Sequence, residues 1–236
     1  MKLFRSIRQN LIKEGKLKRY LLYAIGEILL VMIGISLAFQ LDNWNDDRIK
    51  HNAEIRFYEN IKMQIIDDKE LIEGQKRYNG YFMSQFKYAN EIIGVNDRSK
   101  LDTLGIIVHN LTNYSDFDKE GNIYETMVNS GQIKLLKNHE IVNGIRELEE
   151  LYHYMNRMEN IHYDAMMNHV IPTVNHVLNF STEEIKKPDE VFSYKFQNNI
   201  IILMQVMREK NEVYNKALNE IERVTKLIDV ELGILP

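Results

Sequence analysis

The stretch from Tyr154 to His169 is unusually rich in methionine and histidine, whose side chains bind soft metal ions such as copper. Within it, His162, Met166 and His169 are spaced at i, i+4 and i+7, so they would share one face of a helix. These three residues are therefore weak metal candidates. One heptad spans about 10 Å along a helix, so two of these histidines cannot share a metal ion without a ligand from another helix.

The same region also contains a histidine every seven residues, at His162, His169 and His176. If this row points into a helical core, it forms a pH-sensitive seam, because histidine titrates near neutrality. The simplest interpretation is that the histidines are hydrogen-bonded core residues. We adopt that interpretation and predict no metal ion and no other cofactor.

Other catalytic patterns are missing from the sequence. His139 and Glu140 begin a zinc-protease pattern, but Asn143 stands where the second metal ligand belongs. The chain has no cysteine, which excludes disulfides, zinc–thiolate sites, iron–sulfur clusters and a cysteine nucleophile. We predict that the protein is not an enzyme.

An acidic residue, Glu27, lies inside the apolar stretch 21–39, which is long enough to cross a bilayer. A carboxylate there costs about 2.5 kcal/mol or more on insertion scales, so it should face protein or water. Ala24, Glu27, Gly34 and Ala38 share one helical face, and the last two form a pair of small residues four apart. This face predicts packing against another membrane helix; the alternative is that Glu27 conducts protons or ions.

The charge distribution predicts the topology. Residues 1–19 carry seven Lys or Arg and one acidic residue, whereas the whole chain has a net charge of −4. By the positive-inside rule we expect a basic amphipathic cytoplasmic segment at 1–19, a transmembrane helix at 20–41 and an extracytoplasmic domain at 42–236. This describes a single-pass inner-membrane protein with a periplasmic domain. A cleaved signal peptide is the competing interpretation, but the apolar stretch is long and contains an acid.

Three segments resemble a bacterial family of single-span inner-membrane proteins that contain a domain of unknown function. They are MKLFRSIRQNL at the start, YAIGEILLVMIGISLAFQLDNWN over the span, and YETMVNSGQIKLLKN from Tyr124 to Asn138. The resemblance implies a membrane anchor and adds no activity. It also implies that the family pattern includes Gly26, Glu27, Gly34 and the Asn43-Trp44-Asn45 exit.

Beyond the span, helical periodicity predicts an all-α fold, an elongated helical bundle with coiled-coil-like packing. The last helix has the clearest pattern, with core positions in steps of four and three from Ile200 to Leu232 and polar insertions at Asn211 and Thr225. Pro172 should kink or end the helix before it. Residues 181–184 match a capping box that would begin another helix.

These features predict a membrane-anchored, non-enzymatic assembly or accessory protein. Its partners would be the lipid bilayer and either further copies of itself or another membrane protein, and its acidic outer part argues against nucleic acid. Two alternatives stay open. The outer domain could sense pH, a metal or a small ligand, or Glu27 could belong to an ion pathway.

Overall fold

The computed structural model describes residues 17–117 and 123–235 and is mostly helical. The predicted basic segment lies outside the described residues except for its last three. The elements, in chain order, are α1 (Leu17–Gly94), a 3₁₀ turn (Arg98–Lys100), α2 (Leu101–Asn110), α3 (Ile123–Asn129), a second 3₁₀ turn (Gln132–Leu135), α4 (His139–Ala165), a π-helical segment (Met166–Val170), α5 (Ile171–Val177), the strands β1 (Leu178–Asn179) and β2 (Glu184–Ile185), α6 (Pro188–Val191) and α7 (Tyr194–Glu231).

Helix α1 is 78 residues long and contains no proline, so nothing in it removes a main-chain donor. The chain divides into two compact units, one ending at Glu54 and the other beginning at Ile55. The first unit contains the apolar stretch, which is long and apolar enough to be a candidate membrane span. None of the residues in its most apolar part is buried within the described chain.

The second unit is built on α4, α7 and the part of α1 that follows Ile55. Asn79 of α1 donates to Asn211 of α7 at 2.8 Å, while Gln197, near the start of α7, donates to the Asn90 side chain at 3.1 Å. The two helices are therefore antiparallel. Helix α4 is also antiparallel to α7, because Asn138, its N-cap, donates to Glu231 at the end of α7.

Two apolar cores lie along these helices. In the first, Tyr58 and Ile65 of α1 pack with Leu148 of α4 and Ile221 of α7. In the second, the α1 residues are Phe86, Ala89, Ile92 and Ile93, which pack with α2, α5 and the first half of α7. The segment between α1 and α4 contributes to both cores. Met127 belongs to the first core and Leu104 to the second.

The helix that contains Pro172 does not end at the proline. Just before it, the backbone changes from an α-helical to a π-helical hydrogen-bond pattern. A π-helical segment takes up one extra residue per turn and occupies Met166–Val170, where the Pro172 ring would meet the carbonyl of residue 168 in a regular helix. The extra residue shifts the buried face by one position. Val170 and Val177 consequently occupy the core positions where the heptad count places His169 and His176.

The capping-box prediction at residues 181–184 is wrong. These residues form the turn and the second strand of a small antiparallel hairpin, with Leu178 opposite Ile185 and Asn179 opposite Glu184. The Ser181 amide donates to Asn179 Oδ1 at 3.0 Å, and Glu183 takes a left-handed conformation with φ 55°. Polar residues of this kind favour turns as well as helix starts, and here they form the turn of a hairpin.

A glycine sets the approach of α2 to this hairpin. A Cβ atom on Gly105 would overlap the Glu183 main-chain oxygen, whereas one on Gly80, inside α1, would meet no described atom within 4 Å. We expect Gly105→Ala to lower the free energy of unfolding by about 1–3 kcal/mol. The matched control, Gly80→Ala, should raise it by about 0.5–1 kcal/mol, because glycine is costly inside a helix.

These two variants can be compared by urea unfolding of the detergent-solubilised protein, followed by circular dichroism. Equal effects of the two substitutions would contradict the close packing of α2 on the hairpin.

Candidate functional site

A group of polar side chains is buried between α4, α7 and the loop that follows α2. We define the polar cluster as Ser115, Glu159, His162, Lys210 and Tyr214. Helix α4 supplies Glu159 and His162, and α7 supplies Lys210 and Tyr214, one turn apart on the same face. None of the five is more than 3% exposed, so their charges and hydrogen bonds must be satisfied inside the protein.

Glu159 is at the centre of the cluster. Its Oε1 atom accepts hydrogen bonds from the Tyr214 hydroxyl at 2.7 Å and from the Phe117 amide at 2.9 Å. The Lys210 ammonium lies 3.8 Å from the same oxygen and donates to the Ser115 carbonyl at 2.6 Å. The carboxylate thus ties α4 to α7 and to the loop. Its other oxygen, Oε2, is buried and has no hydrogen-bond partner among the described residues.

The electrostatics of the ion pair reflect its burial. Burial raises the pKa of Glu159, while the hydrogen bonds from Tyr214 and Phe117 and the charge of Lys210 oppose that rise. Burial also lowers the pKa of Lys210 to about 8, against the opposing effect of Glu159 and Asp116. The pKa of Tyr214 is raised by burial and by Glu159, so its hydroxyl keeps its proton and donates.

His162 is completely buried, and neither ring nitrogen has a hydrogen-bond partner within the described part of the chain. Its ring meets the Tyr114 ring edge-on, with the centroids 6.3 Å apart. Burial, together with the charge of Lys210, lowers the pKa of His162 to about 3. The imidazole is therefore neutral at physiological pH, and its protonation would place a second positive charge next to Lys210.

An open cavity of about 510 Å³ lies beside the polar cluster. Glu159 is the one member of the cluster that contributes to its wall. Its lining residues are Tyr114, Asp116, Phe117, Asn156, Glu159, Asn160 and Tyr163. The rings of Tyr114 and Tyr163 meet at 61° with their centroids 5.5 Å apart, which forms an aromatic corner.

The histidines predicted from sequence are not brought together. His162 is in the core, whereas His169 and His176 are exposed, and His176 lies 3.0 Å from the Glu190 carboxylate at the surface. The buried seam of three histidines is therefore contradicted, because the π-helical segment turns the last two outward. Nor do His162, Met166 and His169 share one side of the helix, and the described residues contain no group of three or more His, Cys, Asp or Glu placed to hold a metal.

The predicted membrane-face residues all lie in the first unit. Gly34 and Ala38 are exposed, and Ala24 and Glu27 are partly exposed. A Cβ atom on Gly34 would meet nothing within 4 Å among the described residues. No described residue therefore covers the helix surface at Gly34.

Sequence reasoning missed Glu159 and Lys210. Both charged residues would ordinarily be assigned to the surface. Tyr214 fits the spacing of four and three residues in α7. The helix buries a broader face than a single stripe, because it packs against both α1 and α4. Lys210 and Val213 lie on the added part of that face. One signal was available: Lys210 precedes the core residue Tyr214 by one turn.

The fold and the site together define a mostly helical protein with one candidate membrane span and a buried, charged cluster in its second unit. The chain belongs to the family described as "Family of unknown function (DUF6090)", whose model matches residues 27–209. The match includes the apolar helix from Glu27 onward and the lining residues of the cavity. Of the polar cluster it includes Ser115, Glu159 and His162 and ends just before Lys210. Comparisons with curated proteins and with solved structures returned no match.

The lowered pKa of His162 predicts how the free energy of unfolding changes at acidic pH. Between about pH 6.5 and pH 3 the unfolded chain binds a proton at this residue and the folded chain does not, so stability falls as the pH is lowered through that window. The slope is about 1.4 kcal/mol per pH unit. We expect His162→Leu to remove this slope and to leave stability above pH 7 equal or higher, since two unpaired nitrogens are lost.

Thermal unfolding of the solubilised protein at a series of pH values measures the effect. The control is His153→Leu, which replaces an exposed histidine of the same helix. A variant at residue 162 that keeps the wild-type acid slope would show that His162 is not neutral in the fold.

Removal of one ion-pair partner should be costly. We expect Lys210→Met to destabilise the protein by about 3–5 kcal/mol, because it leaves the Glu159 carboxylate buried without a cation. The additional change Glu159→Gln should recover a large part of this loss, since the remaining groups are then neutral. A double-mutant cycle of unfolding free energies measures the coupling. Lys216→Met, at an exposed position of α7, is the control; additive effects at 159 and 210 would contradict a direct pair.

Proposed function

We propose that this protein is a non-enzymatic membrane protein that acts by association, either with copies of itself or with another membrane protein. The observation that carries the proposal is the apolar stretch of α1, of which no residue in the most apolar part is buried within the described chain. A helix of this composition is stable in a bilayer, where its own main chain satisfies every hydrogen bond.

The face that contains Gly34 and Ala38 supports association within the membrane. Small residues four apart let two helix backbones approach closely, and lipid gives no hydrophobic reward for burying larger apolar side chains instead. Glu27 lies on the same face. An acidic side chain at this depth gains from a polar contact with a neighbouring helix, which favours a specific partner over lipid.

The topology belongs to the proposal as well. We propose that the basic segment before the span is cytoplasmic and that the domain after it is periplasmic, held to the inner membrane by a single uncleaved helix. The excess of Lys and Arg before the span supports this orientation by the positive-inside rule.

The mass of the full-length protein in nanodiscs tests association. We expect a dimer or a higher oligomer, or a stable complex with another membrane protein. Gly34→Leu should shift the particles toward the monomer or release the partner, because the larger side chain separates the helices. Ser36→Leu, which adds similar bulk about 200° around the helix, should leave the mass unchanged. A wild-type protein that is monomeric and purifies without a partner would overturn the proposal.

A second candidate function is that the domain after the span is a sensor. The buried polar cluster beside an open cavity favours it, because an incompletely satisfied carboxylate is an unusual feature of a purely structural core. A sensor predicts that a molecule bound at the cavity changes the assembly state in nanodiscs. An unchanged particle mass under saturating ligand would exclude this function and leave membrane association untouched.

A further inference from the structure

A smaller cavity lies where the π-helical segment meets α7. Its volume is about 210 Å³, and its lining residues are Ala165, His169, Val170, Asn199, Ile202 and Leu203. All six belong to the described range 123–235, and none of them lines the cavity beside the polar cluster. The smaller cavity is therefore a separate site on the second unit, and we call it the π-helix cavity.

The walls of the π-helix cavity can be reached from solvent. Ile202 is 55% exposed, His169 is also exposed, and Ala165 is half-buried. The deeper part of the lining consists of Val170 and Leu203, which belong to the second apolar core. A ligand can therefore contact the side chains of Ala165 and Ile202 without any rearrangement of the helices.

Two local features account for this cavity. A π-helical turn is wider than an α-helical one, and this segment turns Val170 into the core and His169 outward. Ala165, directly before the segment, has only a methyl group to fill the space toward Ile202 of α7. Protein interiors are normally packed without gaps of this size, and π-helical turns frequently occur at functional sites. A gap beside such a turn is therefore a candidate binding site.

The side chains of the lining select an uncharged ligand. None of the six residues is an aspartate, glutamate, lysine or arginine, and four of them have hydrocarbon side chains. A charged molecule would lose hydration here without gaining an ion partner from the wall. Water in the cavity finds few hydrogen-bond partners, so an apolar group that displaces it gains free energy. The imidazole of His169 and the amide of Asn199 can each donate or accept one hydrogen bond from a polar substituent.

The volume sets the size of the ligand. Apolar cavities of about 150 Å³ hold benzene, so about 210 Å³ accommodates one ring with a short substituent. We propose that the π-helix cavity binds a small uncharged compound with a single hydrocarbon ring. The ring packs against Ala165 and Ile202, and the polar substituent lies at the mouth beside His169. This site goes beyond the association and sensor functions and requires neither of them.

Methyl NMR tests where the ligand binds. The full-length protein, labelled with ¹³C at the isoleucine δ1 methyl groups, is held in phosphatidylcholine nanodiscs and titrated with benzyl alcohol. Because an aromatic ring shifts the signals of nearby methyl groups, we expect a saturable shift of the Ile202 signal. Ile201 is 43% exposed on the same helix but does not line the cavity, so its signal should move several-fold less. Equal shifts of the two signals, or a shift that does not saturate, would overturn the proposal.

Two charged probes of the same shape test the ligand class. Benzoate and benzylammonium differ from benzyl alcohol in the charge of the substituent, and each should bind at least tenfold more weakly. A charged probe that shifts the Ile202 signal at the same concentrations as benzyl alcohol would show that the site does not select uncharged compounds.

Ala165→Leu fills the cavity and tests whether the gap itself binds the probe. We expect the Ile202 response to be lost, with a melting temperature equal to or above that of the wild type, because the added side chain occupies empty space. A folded Ala165→Leu protein that still gives the saturable Ile202 shift would refute the site.

A second pair of variants keeps the test independent of that substitution. Ile202→Ala removes apolar contact at an exposed position, so the fold should be retained and benzyl alcohol should bind about threefold to tenfold more weakly. Ile201→Ala is the matched control and should bind benzyl alcohol as the wild type does. Saturation-transfer NMR of the probe, with empty nanodiscs as the blank, measures both affinities. Equal affinities of the two variants would contradict a ligand packed against Ile202.

Discussion

The buried contact between Glu159 and Lys210 is the constraint to which the rest of the second unit must conform. Neither charge reaches water, so each must find its partners at fixed positions. Tyr214 must present its hydroxyl to the carboxylate, and the loop at Ser115 must present a carbonyl to the ammonium. These requirements fix the register of α7 against α4 and hold the loop on both.

Much of the helical content follows from the sequence, but the charged core does not. The cap at Asn138, the helix at 101–110 and the core position of Tyr214 agree with local chemistry and periodicity. Two features required information that periodicity lacks. A π-helical segment shifts the count by one residue, which exchanges His169 and His176 for valines. Burial of Lys210 depends on a partner 51 positions away along the chain, and no local pattern signals that pairing.

Helix α1 has one secondary structure but two kinds of surface. Its part before Glu54 includes a stretch that is apolar on all sides, apart from the face of Glu27 and the small residues. Its part after Ile55 buries one side, including Tyr58, Ile61 and Phe86, and leaves charged residues on the other. A helix apolar all round suits lipid, and a helix apolar on one side suits water and a core. The two parts of α1 therefore differ in composition because they suit different surroundings.

A buried ion pair is weak evidence of a stability advantage, because well-packed apolar residues of similar volume often do as well or better. The cluster here carries further costs. Among the residues that the structure describes, neither nitrogen of the buried His162 ring has a hydrogen-bond partner, and Glu159 Oε2 has no donor. An arrangement optimised for stability alone would satisfy or remove these groups, since each unpaired buried polar atom costs about 1–3 kcal/mol.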